Sequence, residues 1–199
     1  MAIIDITPKI QAASPVYPGD AALSIEVTAT SPARVSAFRM SPHLGVHVDA
    51  PLHLNKPCDV SQIALSRLIG ECRILHCEGL HVIDAQHIPD NLSAKRVLIK
   101  TGFVMLEQWT DDFAYLTKEA VEKLVRLGVD VVGIDTPSID RATSETLPAH
   151  CVAIEKGMLI LENLALSEAL KDVYTLVALP LKIEGLEASP VRAILIDEE

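Results

Sequence analysis

Apolar positions along this chain fall into short runs separated by polar and turn-forming residues. Ile3–Ile6, Leu23–Val27 and Val35–Met40 read as strands, the last two with apolar and polar residues nearly alternating. Arg73–His76, Val97–Lys100 and Val129–Ile134 read as more deeply buried strands. Met158–Leu161, Tyr174–Leu179 and Arg192–Ile196 add further short strands. Two segments change period. Thr117 is a good N-cap for a helix running through Leu127, with Ala120, Val121, Leu124 and Val125 as its apolar stripe and Gly128 as its stop. Pro148 suits the first turn of a second helix, which Gly157 ends. The strand at Val129–Ile134 follows the first helix directly, a return of the chain onto a sheet. The pattern predicts an α/β fold: a single domain over residues 1–199 with a mixed sheet, a strand-rich N-terminal half and helices packed on the sheet.

Composition narrows the class. Apolar residues make up 49% of the 199, a high share for a chain in which no apolar stretch reaches the ~20 residues of a membrane span. The surplus predicts a large core plus apolar surface buried in a homodimer or higher homo-oligomer. The net charge of −10 argues against a nucleic-acid partner, which calls for a basic face. The N-terminus lacks a basic stretch followed by an apolar run, so a cytoplasmic protein is expected. Cys58, Cys72, Cys77 and Cys151 form no C-x-x-C pair and read as free buried thiols, with Cys72 and Cys77 facing opposite sides of a strand. Cys151 follows a histidine and is a weak candidate nucleophile.

The chemistry concentrates in His43-Leu-Gly-Val-His47-Val-Asp49-Ala-Pro-Leu-His53. Three imidazoles and a carboxylate within eleven residues are the groups that bind divalent metals or move protons near neutral pH. A loop of polar residues satisfied by backbone is the alternative. A helix is disfavoured by Gly45 and Pro51. A flat strand holds His43 and His47 roughly 13 Å apart, at about 3.3 Å per residue, too far for one ion. The segment must therefore bend, with Gly45 the expected hinge: a strand entering a kinked turn that Pro51 closes, with His53 just beyond. A second segment can face it. His150 lies in the first turn of the second helix and Glu162 at the end of the following strand, so helix out and strand back bring them together. Taken singly, both are ordinary surface residues.

The His43-x-Gly-x-His47-x-Asp49-x-Pro51-x-His53 pattern resembles the signature of the metal-dependent cyclase family, within it the kynurenine formamidase branch. Pro15-Val-Tyr-Pro-Gly-Asp20, Gly133-Ile-Asp-Thr-Pro-Ser138, Leu147-Pro-Ala-His150, Ala178-Leu-Pro-Leu and Ser189-Pro-Val-Arg-Ala193 extend the resemblance over nearly the whole chain. It implies a swivelling β/β/α-like fold and a site of two divalent ions, zinc or manganese. His43 and His47 would hold one ion and His150 the other, with Asp49 and Glu162 reaching both. His53 resembles the family's catalytic histidine. Tyr17 stands where formamidases carry a tryptophan that packs on the substrate ring, and Arg141 and Glu145 replace a Pro and a Lys in a turn. The implied reaction is hydrolysis of N-formyl-L-kynurenine to L-kynurenine and formate, with hydroxide as nucleophile and His53 as general acid/base. Another aryl amide or a cyclic amide or imide is the nearest alternative substrate class. A metal-dependent binding protein without turnover is a more distant alternative. A structural-metal domain fits less well, because carboxylate-rich ligand sets suit open catalytic sites. A serine-hydrolase route lacks its G-x-S-x-G elbow.

Overall fold

The computed structural model describes residues 1–105 and 107–198. In chain order the strands are β1 (Ala2–Asp5), β2 (Ser24–Ala29), β3 (Val35–Arg39), β4 (His47–Asp49), β5 (Ile69–His76), β6 (Val82–Ile83), β7 (Arg96–Lys100) and β8 (Tyr115–Leu116). Helix α1 (Lys118–Arg126), β9 (Val131–Ile134), α2 (Pro148–Glu155), β10 (Leu159–Glu162), β11 (Val173–Val177), β12 (Ala188–Pro190) and β13 (Ile194–Asp197) complete the chain. Nine strands join in one mixed sheet in the order β1-β13-β11-β5-β7-β9-β10-β4-β12. Its centre, β5-β7-β9-β10, is parallel, and the flanking strands are antiparallel. Among the described residues the fold is a single α/β domain with two α-helices, as the sequence pattern predicts.

Alternation along the central strands builds two cores. Val97, Ile99, Val132, Ile134 and Ile160 face one side, where α1 and α2 cover them with Val121, Leu124, Val152 and Ala153. Leu98, Val131, Leu159 and Leu161 face the other side, where they meet Val48, Leu176 and Leu195. Those last three sit on strands from opposite wings of the sheet. One cluster can contain them only because the sheet curls over its own face. Gly133 sits at the tightest point of this packing: a Cβ there would lie 2.5 Å from Leu98 Cδ2 and 2.8 Å from Leu164 Cδ1. The closeness sets β9, and the loop that leaves it, directly against β10.

Helix α1 begins where expected, with Thr117 Oγ1 accepting from the Ala120 amide at 3.2 Å. Gly128 stops it in the left-handed region, at φ 82°. The alternating segments form the strands β2 and β3 as expected, but they stand outside the main sheet as a two-stranded hairpin exposed along its whole length. Periodicity reports that a strand has two unlike faces, not which element covers the apolar one. The His43–Asp49 segment also reverses the expected order. The turn comes first, with Gly45 at φ 75°, and the strand is His47–Asp49 after it. Pro51–Leu54 then forms a short 3₁₀ turn carrying His53. Cys72 and Cys77 are buried in the two opposite cores, whereas Cys58 and Cys151 are only half-buried.

Candidate metal centre

The carboxyl ends of β9 and β10, the start of α2 and the short strand β4 meet at one end of the curled sheet. This is the end where open α/β sheets place their ligands. β4 pairs antiparallel with β10, which sets His47 opposite Glu162. Extended geometry turns His47 and Asp49 to the same side. All the candidate ligands converge here. His47 Nε2 lies 3.5 Å from Asp49 Oδ1 and 3.3 Å from Glu162 Oε2. His150 Nε2 lies 3.5 Å from Asp49 Oδ2 and 3.2 Å from Glu162 Oε1. His43 Nδ1 stands 3.3 Å from Asp49 Oδ1, and its ring is 4.8 Å from that of His47. His53 packs its ring 4.6 Å from His43 and 5.6 Å from His150. Two sets have ligand atoms within 4.8 Å of one another: His43, Asp49 and His53, and His47, Asp49 and Glu162. Asp49 belongs to both.

The donor chemistry fits divalent cations. His47 Nδ1 lies 2.9 Å from the Gly45 carbonyl, which can only accept, so Nδ1 carries the proton and Nε2 presents its lone pair to the cluster. His150 Nδ1 is held in the same way by Asp140 Oδ2 at 2.7 Å, again leaving Nε2 free. His47 Nε2 and both oxygens of Asp49 are buried without a hydrogen-bond partner among the described residues. Buried polar atoms left in that state are costly, and bound cations would satisfy all three at once. Without cations the electrostatics are strained. Burial disfavours a charged His47, but the close Glu162 and Asp49 carboxylates raise its pKa to about 9. Burial pushes the Glu162 carboxyl up, and His150 and His47 overcome it and lower it to about 2. His150 is raised well above its usual value against its burial, chiefly by Glu162 and Asp140. Asp49 is held well below the carboxylate range against its burial, by His150, His43 and His47. His53 differs: burial lowers its pKa, with neighbouring charges acting in both directions.

Three positioning groups escaped the sequence reading. Asp140 accepts from the Ala149 amide at 3.0 Å and the His150 amide at 2.9 Å, besides His150 Nδ1. It therefore caps α2, whose own N-cap residue, Leu147, offers no side-chain cap. The Ile139 amide donates to Glu162 Oε1 at 2.7 Å and fixes that carboxylate. Asn163 Nδ2 donates to the Gly45 carbonyl at 3.2 Å, tying the turn before β4 to the end of β10. None carries a local signature, since each acts across nine residues or more.

A cavity of about 440 Å³ opens onto the cluster, a size suited to a small organic ligand. Tyr17 lines it, as expected from its place in the N-terminal loop, and its ring meets that of Trp109 edge-on at 5.1 Å. Trp109 was not anticipated. It comes from the loop between β7 and β8, whose start is pinned where Thr101 and Gly102 donate to the Asp135 carboxylate. Cys151 does not line this cavity; its thiol donates to the Thr146 carbonyl.

Fold and site together define an α/β protein with a buried imidazole–carboxylate centre below an aromatic-walled cavity, an arrangement suited to metal-dependent hydrolysis. A family model described as Putative cyclase matches residues 4–141, and the chain belongs to that cyclase family. A kynurenine formamidase from Delftia acidovorans is 42% identical over 200 residues, covering 96% of this chain and 95% of the relative. The solved structure of a potential metal-dependent hydrolase with cyclase activity is 28% identical, with a TM-score of 0.90 over 100% of this chain and 98% of its own. Isatin hydrolase A from Labrenzia aggregata, 22% identical, shares the fold with a TM-score of 0.84 over 99% of this chain and 94% of its own.

Proposed function

We propose that this protein is a metal-dependent arylformamidase that hydrolyses N-formyl-L-kynurenine to L-kynurenine and formate. The observation that carries the reading is the cavity that joins the Tyr17–Trp109 wall to the buried cluster, so that an aryl ring and its amide can sit on the two at once. The full-length likeness to a formamidase supports the choice of substrate. His43, His47, Asp49, His150 and Glu162 would hold two divalent ions, zinc or manganese, with Asp49 and Glu162 shared. Ions bound there supply Lewis acidity and make water a nucleophile near pH 7.

The chain's own residues do the rest. Tyr17 and Trp109 take the substrate's aromatic ring edge and face. Asp140 and the Gly45 carbonyl hold His150 and His47 in the tautomer that points Nε2 inward. His53 lines the cavity, and burial lowers its pKa, which favours the neutral imidazole. As a neutral base it accepts a proton, and it then donates that proton to the departing aryl nitrogen, which leaves poorly as an anion.

The hairpin β2–β3 supports a homodimer or higher homo-oligomer. Ile25, Val27, Val35 and Phe38 project from it into solvent, and a two-stranded ribbon is marginal unless it packs on another surface. The four thiols, none in a disulfide, suit a reducing cytoplasm.

A second reading, hydrolysis of a cyclic amide, rests on the fold shared with an isatin hydrolase. One experiment separates the two. The protein is stripped with a chelator and reloaded with zinc or manganese; bound metal is counted, and loss of N-formyl-L-kynurenine is followed beside isatin and a panel of cyclic amides and imides. Close to two ions per chain and preference for the formamide support the proposal. Turnover of isatin alone selects the second reading, and full activity in metal-free protein removes both.

A further inference from the structure

The cavity is acidic at its mouth as well as its base. Asp20, Glu145 and Glu187 line it together with Glu162, and the chain as a whole carries a net charge of −10. A substrate carboxylate held near Asp20, Glu145 and Glu187, away from the cations the base would bind, is repelled by those residues unless a cation meets it there. Among the described residues one Lys or Arg lines the cavity, Arg141. Among those residues it forms no ion pair, although carboxylates stand around the same cavity. Its guanidinium instead lies over the ring of Tyr115, 5.7 Å from the centroid. Stacking of this kind restrains the side chain while leaving its five N–H donors for a ligand.

The turn that carries Arg141 is built against the aromatic wall. The Ser144 amide donates to the Arg141 carbonyl at 2.9 Å, closing the turn. Tyr17 Oη donates to the carbonyl of the next residue, Ala142, at 3.1 Å. The Tyr17 ring and the turn that carries Arg141 are thus tied through one hydrogen bond, and both residues line the same cavity. Asp140, the residue immediately before that turn, holds His150. This short stretch therefore connects the buried cluster, the Tyr17 ring and the cation.

We propose that Arg141 is a specificity determinant that binds the α-carboxylate of an amino-acid side arm on the aryl formamide, so that the enzyme selects zwitterionic aryl formamides over simple ones. This rests on the arylformamidase reading. The acidic residues around the same cavity fit the ammonium of that side arm, and Arg141 supplies what they lack.

Three substrates test it: N-formyl-L-kynurenine, N-formylkynurenamine, which keeps the ammonium but has no carboxylate, and formanilide, which has neither. Metal-loaded wild type is compared with Arg141→Gln and Arg141→Lys. A charge-assisted hydrogen-bond pair predicts a rise in KM for N-formyl-L-kynurenine of about 10- to 100-fold in Arg141→Gln, with kcat within about threefold. Formanilide should show the same kcat/KM in wild type and variant, and N-formylkynurenamine should show no loss, since removing a cation does not weaken the binding of an ammonium. Arg141→Lys should recover part of the loss, as a point charge without the planar fork. Equal losses on all three substrates would mean that Arg141 only shapes the turn, and an unchanged KM for N-formyl-L-kynurenine would remove its role; either result overturns the inference. Wild type that fails to hydrolyse any of the three strikes the arylformamidase reading itself, a distinct result.

Discussion

Asp140→Asn is the sharpest test of how the centre is held. The substitution keeps size and shape but replaces an acceptor-only group with one acceptor and one donor. In the native chain Oδ1 accepts one bond, from the Ala149 amide at 3.0 Å, and Oδ2 accepts two, from the His150 amide at 2.9 Å and His150 Nδ1 at 2.7 Å. Asparagine can orient its oxygen toward only one of these groups. Facing His150, it saves two bonds and sets its NH₂ against the Ala149 amide. Facing Ala149, it saves one and sets the NH₂ against both donors of His150. The first arrangement wins, and the loss is one buried bond, a donor–donor clash and part of the helix cap. That totals about 1–3 kcal/mol of stability. The imidazole also loses a strong acceptor behind its ligand nitrogen, which typically costs 10- to 100-fold in metal affinity. Chelator competition with a metallochromic indicator reads the affinity, and urea denaturation of the metal-free protein reads the stability. Native metal affinity in a folded Asp140→Asn protein would refute the argument that Asp140 positions His150 for a cation. Unchanged stability would refute its capping of α2.

Four further outcomes are expected. His53→Ala should keep its metal while kcat falls by about 10²–10⁴-fold, less for formanilides with electron-poor rings whose nitrogen leaves unaided; loss of metal along with activity would make His53 a ligand. Phe38→Asp on the exposed hairpin should shift the protein toward monomer in light scattering, and an unchanged mass would place the interface elsewhere. Metal-free protein should lose thermal stability with rising pH: His47 is raised from 6.5 to about 9, so the stability it contributes is complete below 6.5 and disappears as pH rises through 9. Glu162, lowered from 4.5 to about 2, contributes above 4.5 and stops doing so as pH falls through 2. A Tm flat from pH 6 to 9.5 after chelation would contradict the His47 part of this coupling.

Much of the fold was written in local pattern. The stripe Ala120, Val121, Leu124 and the cap at Thr117 define α1 without reference to anything distant, because helix bonds and caps join residues within four positions. The apolar strands β7, β9 and β10 were legible because burial on both faces leaves a nearly unbroken apolar run. The candidate ligands were legible for a related reason. His43, His47, Asp49 and His53 are crowded into one segment, and His150 with Glu162 is separated by one helix and one strand, a return whose direction the pattern itself implies.

What the sequence left open depends on contacts between distant segments. β2 and β3 alternate in polarity, yet no described residue of the chain covers them, and alternation cannot say whether the cover is the same molecule or another. The place of the turn within His43–Asp49 followed from tertiary pairing: β4 bonds to β10 and β12, and that ladder begins only at His47. Trp109 reaches Tyr17 across 92 residues of chain, and Arg141 reaches the cavity on a turn with no motif of its own. Asp140 sits ten residues before the histidine it holds, a spacing that carries no helical or strand period. Sequence alone decided which elements form and where the reactive side chains cluster, because both are governed by neighbours along the chain. The tertiary structure decided which tautomer each histidine presents, what walls the cavity and which charges face a substrate, because those depend on how a curled sheet brings its two ends together.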